Sequence, residues 1–289
     1  MLTQLRLSLE HSQDFRKVVL MALTLYHDIY RCTGVAEGED APEMVLIHGW
    51  GLHSVVWDNI MPALLEKFQV TVIDLPGFGR SPIPGGEYDL NYLTEQVLVV
   101  APRNAIWLGW SLGGMIALNA SVRFPDRVRG LITVATTPKF IADEHWPMAL
   151  NGDVLSHFRA LLLEDWEGTL IRFLALQCKD SATIKGDVRF LKEIVFFHGH
   201  PSSKALRCGL DILRDMDLLD DLPNVQVPTL YVLGEKDNLV PVGISRELKK
   251  LQPGAKVAVI KGASHVPFIS DQEVFLTAIE DFLMEHHFV

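Results

Sequence analysis

Short apolar runs alternate with amphipathic stretches along most of the chain from residue 43 onward. The runs are Met44–His48, Val70–Asp74, Ala105–Gly109, Gly130–Ala135, Thr229–Gly234 and Lys256–Ile260. Strands of a parallel sheet are covered on both faces, so nearly continuous apolar runs of this length are typical of them. Apolar residues recur at helical spacing between the runs, in Val55–Phe68, Asn91–Val100, Leu112–Phe124, Ile244–Leu251 and Glu273–Glu285. This alternation predicts an α/β protein with an open, doubly wound, mostly parallel sheet.

Two segments depart from the alternation. The stretch Leu25–Cys32 is predicted to be an additional strand that pairs at the sheet edge as a hairpin through Gly34–Ala41. Between residues 138 and 224 no convincing strand is predicted, and four helical patterns follow one another: Asp153–Leu163, Trp166–Cys178, Thr183–Phe197 and Ser203–Met216. We therefore expect a helical insertion that lies over the sheet as a lid.

These patterns predict three regions. Residues 23–137 and 225–289 form the core, residues 138–224 form the helical lid, and residues 1–22 form an N-terminal extension. The sequence leaves the role of the extension open: it is either a short extra helix or a stretch upstream of a true start at Met21.

Composition and charge narrow the class of function. Hydrophobic residues make up 48% of the 289 residues and charged residues 21%, which is typical of globular proteins. The net charge of −10 disfavours a general binder of nucleic acid or anionic membranes. The apolar stretch Val18–Tyr26 is too short to cross a bilayer, and no cleavage pattern of a signal peptide follows it. We expect a cytoplasmic protein without nucleic-acid or membrane partners.

The sequence Gly109-Trp110-Ser111-Leu112-Gly113 matches the pattern G-x-S-x-G, and its surroundings make the match informative. A predicted strand enters it and a predicted helix leaves it, which is the strand–turn–helix arrangement of a nucleophile elbow. The sharp turn exposes the serine hydroxyl. It also brings neighbouring backbone atoms too close for a Cβ, so the flanking residues have to be glycines. The pattern predicts an α/β-hydrolase fold with Ser111 as the nucleophile.

A serine hydroxyl needs an adjacent base, and in this fold the partners follow the serine in the order acid, then histidine. His265 follows a late strand, and Asp237 follows the strand before it. Both positions lie at the carboxyl ends of parallel strands, where open α/β sheets form their sites. We predict His265 as the general base and Asp237 as the acid that orients it, with Glu235 as the nearby rival for the acid.

An acyl-transfer reaction also needs N–H donors for the oxyanion of its tetrahedral intermediate. We expect one from the Leu112 amide, directly after the nucleophile. The other is expected from the Trp50 amide, in the loop after the predicted strand Met44–His48. His48 is expected to hold that loop by hydrogen bonds. This chemistry needs neither a metal nor a cofactor, and the three cysteines show no ligand spacing.

Several segments also resemble one family, the pimeloyl-[acyl-carrier protein] methyl ester esterases of biotin synthesis. They are His48–Leu52, Asp74–Ser81, Ala105–Gly114, Arg172–Gln177 and Pro267–Ser270, within a resemblance that runs from about residue 25 to the end. The strings WLGWSLGG and RFLALQ and the tryptophan in GWGL are its more specific parts. The resemblance implies a carboxylesterase that removes methanol from the distal ester of a carrier-bound pimeloyl chain.

The resemblance also implies roles for individual residues. The family's catalytic residues fall on Ser111, Asp237 and His265, its oxyanion donors fall on Trp50 and Leu112, and its substrate site includes Trp110 and Phe173. Its docking site for the acyl carrier protein falls on Arg172, Lys185 and Arg189, while Gly168 stands where a fourth basic residue is expected. The charge pattern agrees: residues 168–207 hold seven bases and three acids, a balance of +4 in an acidic chain.

The same residues are compatible with other functions. A generalist carboxylesterase for short acyl esters or a carbon–carbon bond hydrolase would use the same triad, and activity across acyl lengths would separate them. A ligand-binding receptor on a hydrolase scaffold would keep the triad and turn over very slowly. We expect a monomeric enzyme, and the sequence leaves its strictness for acyl length open.

Overall fold

The computed structural model describes residues 24–36 and 40–289. In this part of the chain, seven strands form one sheet in the order β1-β3-β2-β4-β5-β6-β7. The strands are β1 His27–Tyr30, β2 Glu43–Ile47, β3 Gln69–Ile73, β4 Ala105–Trp110, β5 Val128–Val134, β6 Thr229–Gly234 and β7 Lys256–Ile260. The six strands β2 to β7 run parallel to one another, and β1 runs antiparallel to its neighbour β3. This confirms the predicted α/β-hydrolase class.

The central strands have the burial that their apolar sequences predict. Every residue of β4 and β6 is buried, and so are four of the five residues of β2 and of β3. At the edge, β7 is only partly buried, which agrees with a strand that has one neighbour. Because β2, β4, β6 and β7 run parallel, their carboxyl ends lie along one edge of the sheet, and the loops that follow them lie together.

The predicted hairpin between the first two strands is wrong. The strand β1 does lie at the sheet edge, but it pairs with β3, with Ile29 opposite Thr71. Both sides of β2 are already occupied, by β3 on one side and by β4 on the other. The free edge of β3 is the place left for β1, so β1 and β2 are not hydrogen-bonded partners.

Ten α-helices surround the sheet in the described residues. They are α1 Met61–Leu65, α2 Leu90–Val100, α3 Leu112–Arg123, α4 Gly152–Glu164, α5 Trp166–Gln177, α6 Ile184–Ile194, α7 Ser203–Asp215, α8 Ile244–Leu251, α9 Pro267–Ser270 and α10 Gln272–Glu285. No helix among the described residues is long and apolar enough to cross a membrane. Short 3₁₀ helices occupy Ser54–Trp57, Pro125–Arg127 and Leu222–Asn224.

One predicted helix, Val55–Phe68, is broken in the structure. A 3₁₀ helix at Ser54–Trp57 is followed by a turn and then by the five-residue helix α1. Pro62 explains the break, because proline has no N–H to donate inside a helix and is tolerated in the first turn. It stands there as the second residue of α1.

The helices α4 to α7 belong to the segment predicted as a lid, and they contact the loops at the carboxyl edge of the sheet. Helix α7 touches the loop after β2, because the Trp50 indole N–H donates to the Leu206 carbonyl at 2.8 Å. Helix α5 touches the loop after β7, because the His265 amide donates to the Gln177 carbonyl at 3.0 Å. The insertion therefore packs on the loops where the sequence places the candidate site.

Candidate active site

Ser111 lies between β4 and α3 in a strained backbone conformation, with φ 54° and ψ −117°. A non-glycine residue in such a conformation costs on the order of 1–3 kcal/mol, so the surrounding structure must hold it. The neighbouring backbone does so by close packing. A Cβ on Gly109 would lie 2.2 Å from the Gly113 carbonyl oxygen, and one on Gly113 would lie 2.2 Å from the Ile47 carbonyl oxygen. Both glycines of the elbow are therefore required by contact, as the pattern predicts.

The structure brings the three predicted triad residues together. The distance from His265 Nε2 to Ser111 Oγ is 3.0 Å, and the distance from His265 Nδ1 to Asp237 Oδ2 is 2.8 Å. Their exposed fractions are 4% for Ser111, 0% for His265 and 6% for Asp237. A buried hydrogen-bonded chain of this order can carry a proton from the hydroxyl to the imidazole while the carboxylate holds the ring.

The carboxylate of Asp237 is oriented by backbone amides. Its Oδ1 accepts from the Leu239 amide at 2.8 Å and from the Val240 amide at 2.9 Å, which leaves Oδ2 for His265. The rival acid, Glu235, points elsewhere, because its Oε2 accepts from the Gly262 amide at 3.0 Å. The geometry favours Asp237 as the partner of the histidine and gives Glu235 a part in holding the loop after β7.

The turn that carries His265 is also fixed through its backbone. The Trp110 indole N–H donates to the His265 carbonyl at 2.8 Å, and the Gln177 carbonyl accepts from the His265 amide. Trp110 was expected in the substrate site, and the structure shows that its N–H supports the histidine turn. No sequence pattern indicates the contact of Gln177, because backbone carbonyls are alike at every residue.

The two amides predicted as oxyanion donors belong to the loop after β2 and to the start of α3, which directly follows Ser111. Among the described residues, neither the Trp50 amide nor the Leu112 amide donates to an internal acceptor. Leu112 is the first residue of α3, so its N–H has no partner within the helix. The Trp50 side chain packs edge-on against Phe173, with ring centroids 4.7 Å apart. This places Phe173 of α5 beside the loop after β2.

His48 holds the loop after β2 by hydrogen bonds, as expected from the sequence. Its Nδ1–H donates to the Gly49 carbonyl at 2.8 Å, and its Nε2 accepts from the Leu75 amide at 2.9 Å. These two bonds require a neutral ring with the proton on Nδ1. Burial lowers the pKa of His48 to about 4, against an opposing effect of the nearby Asp74 carboxylate.

This neutral histidine predicts a stability that depends on pH. Unfolding returns the pKa of His48 from about 4 to its ordinary 6.5, so the unfolded chain binds more protons between these values and stability is lost as pH falls. We expect the unfolding free energy, measured by urea titration, to fall by about 3 kcal/mol from pH 7 to pH 4 through this residue. His48→Gln should flatten that dependence, whereas the exposed control His145→Gln should keep it. Equal slopes in both variants would contradict the assignment.

The three basic residues of the predicted docking site are exposed on the insertion. Arg172 lies on α5, and Lys185 and Arg189 lie one turn apart on α6. Arg172 pairs with Asp165 at 3.3 Å and Arg189 pairs with Glu193 at 2.8 Å. These are exposed pairs, which are worth little and exchange readily for other partners.

The described residues contain no group of three or more histidine, cysteine or acidic side chains placed to hold a metal ion. Cys32, Cys178 and Cys208 are free thiols. Burial, with a smaller effect of the Asp187 carboxylate, raises the pKa of the Cys178 thiol to about 12, so this thiol is unreactive at neutral pH.

Comparison with known proteins gives one family model and many relatives. The model described as the alpha/beta hydrolase fold matches residues 42–272. A protein of Edwardsiella ictaluri named pimeloyl-[acyl-carrier protein] methyl ester esterase is 42% identical over 247 residues, which are 85% of this chain and 94% of that protein. A protein of Serratia marcescens with the same name is 43% identical over 249 residues, 86% of this chain and 96% of that protein.

Solved structures agree on the fold. An esterase from Exiguobacterium antarcticum superimposes with a TM-score of 0.79 at 22% identity, covering 90% of this chain and 95% of that one. A bromoperoxidase from Bacillus anthracis superimposes with a TM-score of 0.81 at 22% identity, covering 92% of this chain and 98% of that one. At this identity the likeness shows a common fold.

Proposed function

Because this chain belongs to the pimeloyl-[acyl-carrier protein] methyl ester esterase family of α/β-hydrolases, we propose that it hydrolyses the methyl ester of a carrier-bound pimeloyl chain. The products are methanol and the free distal carboxylate, with the chain still attached to its carrier. The observation that carries the reaction type is the hydrogen-bonded chain from Ser111 through His265 to Asp237, at 3.0 Å and 2.8 Å. The relatives' names supply the substrate.

The proposed reaction has two halves. Ser111 Oγ attacks the ester carbonyl while His265 Nε2 takes the hydroxyl proton, and a tetrahedral intermediate forms. Methanol leaves as His265 returns that proton to its oxygen, and an acyl-enzyme remains. A water then gives a proton to His265 and attacks the acyl carbonyl. His265 passes that proton to Ser111 Oγ as the bond from Oγ to the acyl carbon breaks, which releases the carboxylic acid and restores Ser111.

The surrounding groups lower the activation barrier by stabilising the charges that develop on the substrate oxygen and on the imidazole. The amides of Trp50 and Leu112 donate to the oxyanion, and each donor of this kind is worth roughly 3 kcal/mol in the transition state. Asp237 keeps the imidazole proton on Nδ1, so that Nε2 faces the serine as an acceptor. The reaction needs no metal or cofactor.

We also propose that the enzyme works in the cytoplasm as a monomer.

The acyl carrier protein is the proposed partner, and the exposed basic face of the insertion is its proposed docking site. This face is defined here as Arg172, Lys185 and Arg189. Acyl carrier proteins are strongly acidic, and a basic patch can steer such a partner. The charge balance supports this role, because Asp187, one of the three acids between residues 168 and 207, is buried with an exposed fraction of 2%. The outer surface of the insertion is therefore more basic than the count of charged residues in the sequence indicates.

Charge reversal on the basic face should separate docking from catalysis. Replacing Arg172, Lys185 and Arg189 by glutamate is expected to raise KM for the carrier-linked ester about tenfold or more at low salt, with a smaller effect at high salt, because salt screens the exposed pairs. Hydrolysis of p-nitrophenyl butyrate should barely change. The matched control reverses three exposed bases of α8, Arg246, Lys249 and Lys250, and should affect neither substrate. Equal losses on both substrates in the first variant would remove the docking proposal.

The substrate itself is tested by incubation with pimeloyl-carrier methyl ester, read as a mobility shift on a conformation-sensitive gel. Rapid demethylation with the thioester intact supports the proposal. Equal or better turnover of short free esters would make the protein a generalist esterase, and cleavage of a carbon–carbon bond would make it a different hydrolase. Failure to release p-nitrophenol over multiple turnovers would favour a ligand-binding receptor on this scaffold.

A further inference from the structure

The turn after β7, which carries His265, is held from outside the sheet by the segment 177–187 of the insertion. Three hydrogen bonds of 3.0 Å or less join the two. They run from the Ala182 amide to the Gly262 carbonyl at 3.0 Å, from the His265 amide to the Gln177 carbonyl at 3.0 Å, and from Ser270 Oγ to Asp187 Oδ2 at 2.7 Å. Two longer contacts also reach Ser270, from Ser181 Oγ to its Oγ at 3.4 Å and from Thr183 Oγ1 to its carbonyl at 3.5 Å. The insertion thus supports the turn at its start, at the histidine and at its end.

Asp187 accepts the shortest bond of this set, and its environment is unusual for a carboxylate. It is 2% exposed, and no cation among the described residues lies within ion-pair distance of it. Three hydroxyls bind it instead: Ser181 at 2.7 Å, Thr183 at 2.9 and 3.0 Å, and Ser270 at 2.7 Å. A buried charge is costly unless it is hydrogen-bonded, and these donors, with its position in the first turn of α6, offset that cost.

Two of these donors belong to the insertion, whereas Ser270 belongs to the core. Ser270 is the last residue of α9, the single helical turn that begins two residues after His265. Its amide donates to the Val266 carbonyl at 3.0 Å, so α9 and the histidine form one short unit. A displacement of Ser270 would therefore move the imidazole, and a misplacement of about 1 Å can cost on the order of a hundredfold in rate.

We propose that Asp187 is a positioning residue for His265. From α6 its carboxylate anchors Ser270, and through α9 it sets the position of the imidazole against Ser111. The insertion then not only covers the site but also holds the turn that carries His265 in place. This inference rests on the triad role proposed above for His265.

The test compares two hydroxyls that bind the same carboxylate from opposite sides. Ser270→Ala removes the bond that leads to the histidine turn, and the carboxylate keeps two donors. The isosteric Thr183→Val removes the hydroxyl that binds the carboxylate from within the insertion, together with its long contact of 3.5 Å to the Ser270 carbonyl. With p-nitrophenyl butyrate, Ser270→Ala should lower kcat about tenfold with KM within twofold. Thr183→Val should keep kcat within twofold, although both variants should lose similar thermal stability.

Two further variants make the test specific. Ser270→Thr keeps a hydroxyl at the same position and should restore most of kcat. Asp187→Ala should lower kcat at least as much as Ser270→Ala, and the double variant should lose no more than Asp187→Ala, because coupled residues are non-additive. Should Asp187→Ala fail to fold, Ser270→Ala and Ser270→Thr still decide the question.

Two results would overturn the inference: full kcat in Ser270→Ala, or equal kcat losses in Ser270→Ala and Thr183→Val. Both are read against the wild-type protein in the same assay. A wild-type protein that hydrolyses no ester would instead remove the proposed function, so the two failures are distinguishable.

Discussion

Ser111→Ala is expected to lower kcat for ester hydrolysis by roughly five orders of magnitude or more, and the protein should stay folded. The substitution removes the hydroxyl that lies 3.0 Å from His265 Nε2, so no acyl-enzyme can form. Alanine fits without new contacts, because it is smaller than serine. The strained backbone is held by the close packing at Gly109 and Gly113, and the substitution leaves both residues unchanged. The measurements are initial rates with p-nitrophenyl butyrate and the carrier-linked ester, with circular dichroism as the check on folding.

A second buried serine offers a matched control. Ser121 lies in α3, ten residues after the nucleophile, and its hydroxyl donates to the Leu118 carbonyl at 2.7 Å. Ser121→Ala should keep nearly full activity. A fluorophosphonate probe should label Ser111 in the wild-type protein and nothing in Ser111→Ala. Labelling of another serine, or turnover in Ser111→Ala, would disprove the assignment of the nucleophile.

Asp237→Asn is expected to lower kcat by about four orders of magnitude, for a reason that the structure makes specific. The amides of Leu239 and Val240 require an acceptor at Oδ1, so the side-chain amide should turn its oxygen toward them and its NH₂ toward His265. His265 Nδ1 then has to accept, which moves the ring proton to Nε2, where it faces Ser111. The imidazole could no longer take the serine proton.

Glu235→Gln is the control for Asp237→Asn, because it makes the same chemical change two residues away. Glutamine keeps an oxygen that can accept from the Gly262 amide, so kcat should stay within about threefold of the wild-type value. Rates measured across pH for both variants decide the assignment. If Glu235→Gln were the more damaging substitution, the role of the acid would pass to Glu235.

The positions of the parallel strands could be predicted from the sequence, and the structure confirms them. The run Thr229–Gly234 is β6 and the run Lys256–Ile260 is β7, residue for residue. Burial on both faces leaves a local apolar signal in such strands. The pairing of β1 could not be predicted in this way, because its partner β3 is chosen by which edge of the sheet is free.

The candidate site was predicted from order and edge position. Ser111, Asp237 and His265 lie far apart in the chain, yet each follows a parallel strand, and the structure places them within hydrogen-bond distance. Their catalytic roles stay predictions until the variants are measured. The bonds that orient them were not predictable, since the donors to Asp237 and the acceptor from the His265 amide are backbone groups.

The α/β-hydrolase class, the turn at Ser111 and the order of the residues that meet it follow from the amino-acid sequence alone. These features depend on local patterns, namely apolar runs, glycines at a sharp turn and polar residues at strand ends. The acid that faces His265, the pairing of β1 and the bond between Asp187 and Ser270, which are 83 positions apart, are visible in the folded chain and not in its sequence. Such contacts join groups from separate elements, and their strength depends on burial and direction, which a residue's neighbours in sequence do not specify.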